Sequence, residues 1–263
     1  MLPKLYRKQA EAVCDPARIT CIESTTKAGK TLGCIIWQIG QIMSGPEGAE
    51  HWWIAPVYEQ AMMAYREAWK LLRPLPGFKQ ALADRALLCP GGRRWSFRTA
   101  DNPDHLYGSA VSSVVLDEAS RMKDAAVDAV YSTTTRTRGP MRLIGNVRGR
   151  ANRHYQWSRK GEAGEPGFAY HRITADDAVA AGVFNADDVE MARRTMPAAI
   201  FRELYYWPCS LAWTIPGTWR QSTVGMGLAS GPWWRRWAGS WARAPRLAWS
   251  MMPRGWEMRW GSS

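Results

Sequence analysis

The fold is decided by ten residues near the amino terminus, Ile22-Glu23-Ser24-Thr25-Thr26-Lys27-Ala28-Gly29-Lys30-Thr31. They read in order as the end of a strand, a tight polar turn and a Gly-Lys-Thr triplet that opens a helix. Backbone amides in such a turn, together with the positive end of the following helix, form a binding site for phosphate groups. The stretch therefore predicts a phosphate-binding loop, or Walker A motif, although Ser24 stands where the common form has glycine.

The predicted loop assigns nucleotide contacts to all of its residues: Ser24, Thr25, Thr26, Lys27, Ala28, Gly29, Lys30 and Thr31. Lys30 is expected to reach the terminal phosphates, where it also takes part in catalysis by neutralising charge on the leaving group. The hydroxyl of Thr31 is expected to bind Mg²⁺. Lys27 adds a second cation to the same loop.

Composition bounds the class of protein. A chain of 263 residues is long enough for one large α/β domain or two small ones. No apolar run is long enough to span a membrane, and the amino terminus lacks the apolar core of a signal peptide. The five cysteines are scattered without a Cys-x-x-Cys pair, which favours reduced thiols in a cytoplasm. A net charge of +12 favours a polyanionic partner but does not distinguish nucleic acid from simple solubility.

Hydrophobic patterning predicts alternating strands and helices. Strands are predicted at 18–23, 52–56, 85–90, 93–99, 113–117, 142–146 and 168–174, with a hairpin at Gly91-Gly92. Helices are predicted at 5–13, 31–43, 58–72, 125–132, 151–160, 185–194 and 197–206. This alternation predicts an α/β fold of the P-loop NTPase type, in which a mostly parallel sheet is flanked by helices.

Polar residues end three of the predicted strands, and ligands of parallel sheets bind at that edge. Lys30 and Thr31 follow the first strand, Asp117 and Glu118 follow an apolar run, and Asn146 ends another strand. Asp117 is expected to hold Mg²⁺, and Glu118 is expected to polarise an attacking water as a general base. The four histidines form no ligand pattern and are expected at the surface or as hydrogen-bonded core residues.

Residues 1–206 resemble the ATPase domain of the phage terminase large subunit, the motor that packages viral DNA. The family often carries a deviant phosphate loop, as at Ser24. Further similar segments follow in the family's order: Trp53-Ile54-Ala55-Pro56 with Gln60, Asp101-Asn102-Pro103-Asp104 to Gly108, Leu116-Asp117-Glu118-Ala119, and Ile144-Gly145-Asn146.

The resemblance implies ATP and Mg²⁺ as cofactors and hydrolysis coupled to movement of double-stranded DNA into procapsids. It implies that Gln9 reads the adenine and that Asn146 is the catalytic residue that senses the γ-phosphate. It also implies an arginine finger, for which Arg98, Arg121, Arg136 and Arg138 are all candidates. The implied partners are the terminase small subunit, the portal protein and further copies of the chain in a ring, in the cytoplasm of a host cell carrying a phage or prophage.

The composition changes near Tyr206. Residues 207–263 hold ten of the sixteen tryptophans and seven arginines, but their only acid is Glu257. The nuclease domain that follows the ATPase in this family needs several carboxylates for its metals, so this tail is not expected to supply it. Two explanations stay open. The tail is an aromatic and basic segment that binds nucleic acid by stacking, or it is a non-native sequence read out of frame from a GC-rich gene, which is the favoured explanation.

Two rival functions remain open at this point. One is another helicase-like DNA translocase, although helicases need a second ATPase lobe. The other is a catalytically silent nucleic-acid-binding fragment that merely keeps the fold.

Limited proteolysis tests the tail. Many tryptophans without periodicity do not build a core, so we expect the tail to be disordered or poorly folded. Trypsin should then cleave the native chain after the arginines of residues 207–263 before it cleaves elsewhere. Mass spectrometry of the fragments over time measures this. A tail that stays intact while residues 1–206 are degraded would contradict the prediction.

Overall fold

The computed structural model describes residues 2–146 and 149–206. In these ranges the helices are α1 Arg7–Val13, α2 Lys30–Ser44, α3 Tyr58–Leu72, α4 Asp124–Thr133, α5 Arg153–Glu162, α6 Ala175–Ala180, α7 Ala186–Thr195 and α8 Ala198–Tyr205. The strands are β1 Ile19–Ser24, β2 Glu50–Ala55, β3 Lys79–Ala81, β4 Ala86–Cys89, β5 Arg93–Thr99, β6 Val111–Asp117, β7 Met141–Gly145 and β8 Phe168–Ile173.

All eight strands form one sheet, in the order β3-β4-β5-β2-β6-β7-β1-β8. The six strands from β5 to β8 in this order are parallel, and the β3–β4 and β4–β5 pairs are antiparallel. The prediction of a mostly parallel sheet flanked by helices is therefore confirmed. Because the strands are parallel, the carboxyl ends of β1, β6 and β7 lie at one edge, where ligands of such sheets bind.

Helices cover both faces of the sheet, and each face has its own apolar core. One core packs α1, α2 and α3 against the sheet around Trp53 and Phe97. The other core packs α4 and α5 on the opposite face around Trp52 and Leu116. A smaller cluster joins α6, α7 and α8 around Phe201. No helix in the described ranges has the length and hydropathy needed to cross a membrane.

Helix α2, which begins the candidate site, is fixed to the sheet by a buried amide. The pairing of β2 with β6 shifts register between Glu50 and His51, which interrupts the regular ladder there. The Gln38 side-chain amide donates to the Trp52 carbonyl oxygen at 2.8 Å and to the Ser113 carbonyl oxygen at 3.3 Å. A polar residue in the buried face of α2 thus satisfies backbone groups near the irregularity.

A buried arginine on β7 ties the segment between α1 and β1 to the sheet. Arg142 is only 2% exposed, and its guanidinium carbon lies 4.4 Å from the Trp37 ring centre. It donates hydrogen bonds to four carbonyl oxygens, those of Val13, Asp15, Ala17 and Met141. Burial lowers the pKa of Arg142 to about 10, so the side chain stays charged at neutral pH. Charge-assisted bonds of this kind are stronger than neutral ones.

The predicted helices and strands are all present within a few residues of their expected ends. The sequence patterns missed β3 and α6, which are short elements of three and six residues. The expectations for residues 207–263, and for their boundary with the ATPase-like part, lie outside the described residues and stay predictions.

Replacing Arg142 by methionine should destabilise the fold, because four buried or partly buried carbonyl oxygens would lose a charged donor. We expect the free energy of unfolding to fall by about 3 kcal/mol, measured by urea denaturation. Arg7→Met is the matched control, since the Arg7 side chain is 92% exposed and forms a surface ion pair with Glu11. Equal urea midpoints for the two variants would contradict this role for Arg142.

Candidate active site

The predicted phosphate loop adopts a turn in which two residues have left-handed backbone. Lys27 has φ 62° and Gly29 has φ 80°. The Ala28 amide donates to the Thr25 carbonyl oxygen at 3.4 Å, which closes the turn. Gly29 then directly precedes α2, so the turn leads into the amino end of a fifteen-residue helix. Left-handed residues turn successive amides toward one side, as anion-binding loops do.

Hydrogen bonds inside the protein hold the first half of this loop. The Thr25 amide donates to the Ile173 carbonyl oxygen at 3.0 Å, and the Thr26 amide donates to the Leu204 carbonyl oxygen at 3.3 Å. In the described part of the chain, the backbone amides of Lys27 and Gly29 donate to no protein group. These free amides and the positive end of α2 fit a phosphate ligand.

Tyr6 and helix α1 hold the loop in place through two side-chain hydrogen bonds. The Tyr6 hydroxyl donates to the Ala28 carbonyl oxygen at 2.7 Å, and the Gln9 side-chain amide donates to the Gly29 carbonyl oxygen at 2.5 Å. A Cβ atom at Gly33 would lie 2.9 Å from the Gln9 side chain, so a glycine there makes room for it. Gln9 is buried against the loop. Its contact with adenine stays a prediction, and no sequence pattern indicated the contact of Tyr6.

The Lys30 ammonium joins the three strand ends. Its Nζ atom lies 3.4 Å from Glu118 Oε1 and 3.4 Å from Asn146 Oδ1. The Lys30 side chain is only 11% exposed. The three candidate catalytic residues, which are far apart in the sequence, therefore meet at the Lys30 ammonium group. Thr31 is the next residue of α2.

Asp117 is the last residue of β6, and its carboxyl group is buried. Burial first, and then the negative charge of Glu118, raise the pKa of Asp117 to about 7, while Lys30 opposes the shift. The carboxyl groups of Asp117 and Glu118 outnumber the Lys30 ammonium, so the site has a surplus of acidic groups. Such a surplus fits a divalent cation, and the Asp117 carboxylate and the Thr31 hydroxyl are oxygen ligands of the type that Mg²⁺ prefers.

The backbone at the ends of β6 and β7 comes together closely. Glu118 has left-handed backbone with φ 52°, an uncommon conformation for glutamate that turns the chain out of β6. Gly145 has φ 153°, and a Cβ atom there would lie 3.1 Å from the Glu118 Cα atom. Only glycine fits both the conformation and the space at this position. Ser120 Oγ donates to the Asn146 carbonyl oxygen at 2.5 Å, a contact that no sequence pattern indicated.

The four arginine-finger candidates lie at different edges of the sheet. Arg98 lies 4.0 Å over the Trp52 ring and pairs with Glu50 at 3.4 Å. Arg121 is exposed just after Glu118, at the same edge as the loop. The remaining two arginines lie between α4 and the start of β7, at the opposite edge. Arg121 is thus the candidate nearest to Glu118 in sequence, and the choice of finger stays open.

A buried histidine near the loop is a further residue that no sequence pattern indicated. His154, in the first turn of α5, is fully buried, and neither ring nitrogen has a hydrogen-bond partner among the described residues. Burial first, and then the charge of Lys30, lower the pKa of His154 to about 3. The expectation that the histidines are exposed or hydrogen-bonded is therefore wrong for His154, because a single histidine shows no pattern that separates these cases.

The buried state of His154 predicts acid sensitivity. Between about pH 6.5 and 3 the unfolded chain protonates this ring and the folded chain does not, so stability falls as pH falls through that window. From pH 7.5 to 5, we expect the wild type to lose about 2 kcal/mol more unfolding free energy than His154→Leu. Urea denaturation at both pH values measures this, and parallel losses in the two proteins would contradict it.

Solved structures of phage terminases share this fold. The ATPase domain of the Thermus phage P74-26 large terminase matches with TM-score 0.65 and 20% identity, over 77% of this chain and 92% of that chain. The bacteriophage HK97 large terminase matches with TM-score 0.66 and 18% identity, over 77% of this chain and 50% of that chain. The large terminase of a thermophilic bacteriophage, in complex with ATP-gamma-S, matches with TM-score 0.61 and 14% identity, over 74% of this chain and 50% of that chain.

No protein-family model and no curated protein matches the chain. The large terminases of HK97 and of the thermophilic bacteriophage extend well beyond the matched part, since this chain covers about half of each. The predicted resemblance to the ATPase domain of phage large terminases is confirmed for the fold, and the described part of the chain has that fold.

Proposed function

We propose that this chain is a Mg²⁺-dependent ATPase that drives double-stranded DNA into viral procapsids. The observation that supports the ATPase most strongly is the meeting of Lys30, Glu118 and Asn146 beside a loop with free amides. The large terminase of the thermophilic bacteriophage, which has the same fold, has been solved in complex with ADP and with ATP-gamma-S. A nucleoside triphosphate is the ligand that this set of donors and cations fits best.

In the proposed reaction each residue has a separate task. The loop amides and Lys30 bind the phosphates, and Thr31 and Asp117 hold Mg²⁺, which neutralises charge on the phosphates. Glu118 accepts a proton from water as the water oxygen bonds to the γ-phosphorus and the bond to the β–γ bridging oxygen breaks. Asn146, which contacts Lys30 through its side chain, responds to the presence of the γ-phosphate.

DNA movement is the second part of the proposal. The terminase ATPase fold and the net charge of +6 that residues 1–206 carry support a polyanionic partner. We propose a ring of several copies that acts with the small subunit and the portal protein in the host cytoplasm. The proposal covers the packaging motor and does not extend to endonuclease activity.

The first test is ATP turnover by three variants. We expect Lys30→Ala to lower kcat/KM by at least about 100-fold, because it removes a cation from the phosphates. Glu118→Gln should lower kcat by at least about 100-fold, because it removes the general base, and should leave ATP binding in place, because Lys30 and the loop amides remain. Lys70→Ala, on the exposed side of α3, is the matched control and should keep wild-type rates.

The outcomes separate the rival functions. Absence of turnover in the wild type with retained DNA binding would favour the silent nucleic-acid-binding fragment. Turnover that Lys30→Ala leaves unchanged would rule out the proposed site. ATP-dependent separation of a forked DNA duplex would favour a helicase-like enzyme, whereas turnover stimulated by intact duplex without strand separation supports the packaging motor.

A further inference from the structure

Ser120 lies between two of the strand ends that build the site. It is the middle residue of the 3₁₀ helix Ala119–Arg121, which follows Glu118 directly. The residue is 8% exposed, and its hydroxyl donates to the Asn146 carbonyl oxygen at 2.5 Å. This hydrogen bond connects the segment after β6 with the segment after β7 through a side chain.

Within residues 2–146 and 149–206, the strand pairing of β7 does not include Asn146. The register of β7 with β1 ends at Gly145, and its register with β6 ends at Ile144. Asn146 therefore lies beyond the last paired residue of its strand. It also follows Gly145, which has φ 153° and whose backbone is not restricted by a Cβ atom. Among the described residues, the Asn146 carbonyl oxygen accepts a side-chain hydrogen bond from the Ser120 hydroxyl.

The orientation of Asn146 matters because its side chain shares Lys30 with Glu118. Asn146 Oδ1 and Glu118 Oε1 each lie 3.4 Å from Lys30 Nζ. A rotation of the Asn146 backbone would move its amide group away from Lys30 while Glu118 stayed in place. The ammonium group would then shift toward the carboxylate that is proposed to serve as the base.

We propose that Ser120 is a positioning residue, which fixes the Asn146 backbone so that the Asn146 side chain holds Lys30 in its reactive place. This inference rests on the proposed ATPase function and adds a residue to it. Ser120 does not touch the reacting atoms. It acts on the alignment of Lys30 and Asn146, so its loss should affect the chemical step more than nucleotide binding, which the loop amides maintain.

Three variants test the role of the hydroxyl. Ser120→Ala removes the donor, Ser120→Thr keeps it, and Ser132→Ala is the matched control. Ser132 is exposed on α4, and its hydroxyl donates to the Ala129 carbonyl oxygen at 2.7 Å, so the control also loses one hydroxyl-to-carbonyl bond. All variants are made in the full chain, and their thermal midpoints establish that each is folded.

For ATP turnover, we expect Ser120→Ala to lower kcat roughly tenfold and to change KM by less than about twofold, since one hydrogen bond is lost. Ser120→Thr should recover kcat to within about threefold of the wild type. The inference is overturned if Ser120→Ala and Ser132→Ala have equal kcat, if KM rises as much as kcat falls, or if Ser120→Thr is as slow as Ser120→Ala.

A second measurement does not depend on turnover. Hydrogen–deuterium exchange of a peptide that contains Asn146 should be faster in Ser120→Ala than in the wild type and Ser132→Ala, because the segment loses its anchor. Unchanged exchange overturns the inference even if the wild type is an active ATPase. If Ser120→Ala exchanges faster but the wild type shows no ATP turnover, the anchoring role is supported and the proposed function is rejected.

Discussion

The candidate site depends on one cation placed among more negative charge than it can balance. Lys30 lies 3.4 Å from Glu118, and Glu118 is the sequence neighbour of the buried Asp117. The pKa of Asp117 is raised, first by burial and then by the charge of Glu118, and Lys30 only partly opposes this shift. Two adjacent carboxylates are stable at such a place only if protons or cations compensate them. The protein alone thus leaves a place for positive charge at the edge where three strands end.

Strand β7 connects this charge balance with the stability of the fold. Arg142, near the beginning of β7, donates hydrogen bonds to carbonyl groups between the end of α1 and the start of β1. Gly145, at its end, lets the backbone approach Glu118. Tyr6, which precedes α1, and Gln9, within α1, donate hydrogen bonds to carbonyl groups of the phosphate loop. The segment from Tyr6 to Ala17 is therefore bonded to the phosphate loop near one end and to β7 near the other.

Much of this arrangement was predictable because it follows local patterns. Apolar runs that stop at Gly, Pro or polar residues identified most strands, and polar strand ends identified Lys30, Glu118 and Asn146. The strand β3 was missed because its three residues, Lys79–Ala81, carry no apolar pattern. Its place in the sheet comes from pairing with β4. The supporting contacts were not predictable for a different reason. Tyr6 and Ser120 donate to backbone carbonyl groups of residues distant in sequence, and every residue offers such a group.

The hydrogen bond from the Thr26 amide to the Leu204 carbonyl oxygen has a mechanical consequence. It makes the tip of the phosphate loop a direct neighbour of α8, the last described helix, although two further helices separate α8 from β8 in sequence. A movement of the loop by a fraction of an ångström changes the length of this bond directly, because no strand of the sheet lies between its two partners in the contact. Displacement of the nucleotide loop can therefore be transmitted to α8 through a single hydrogen bond.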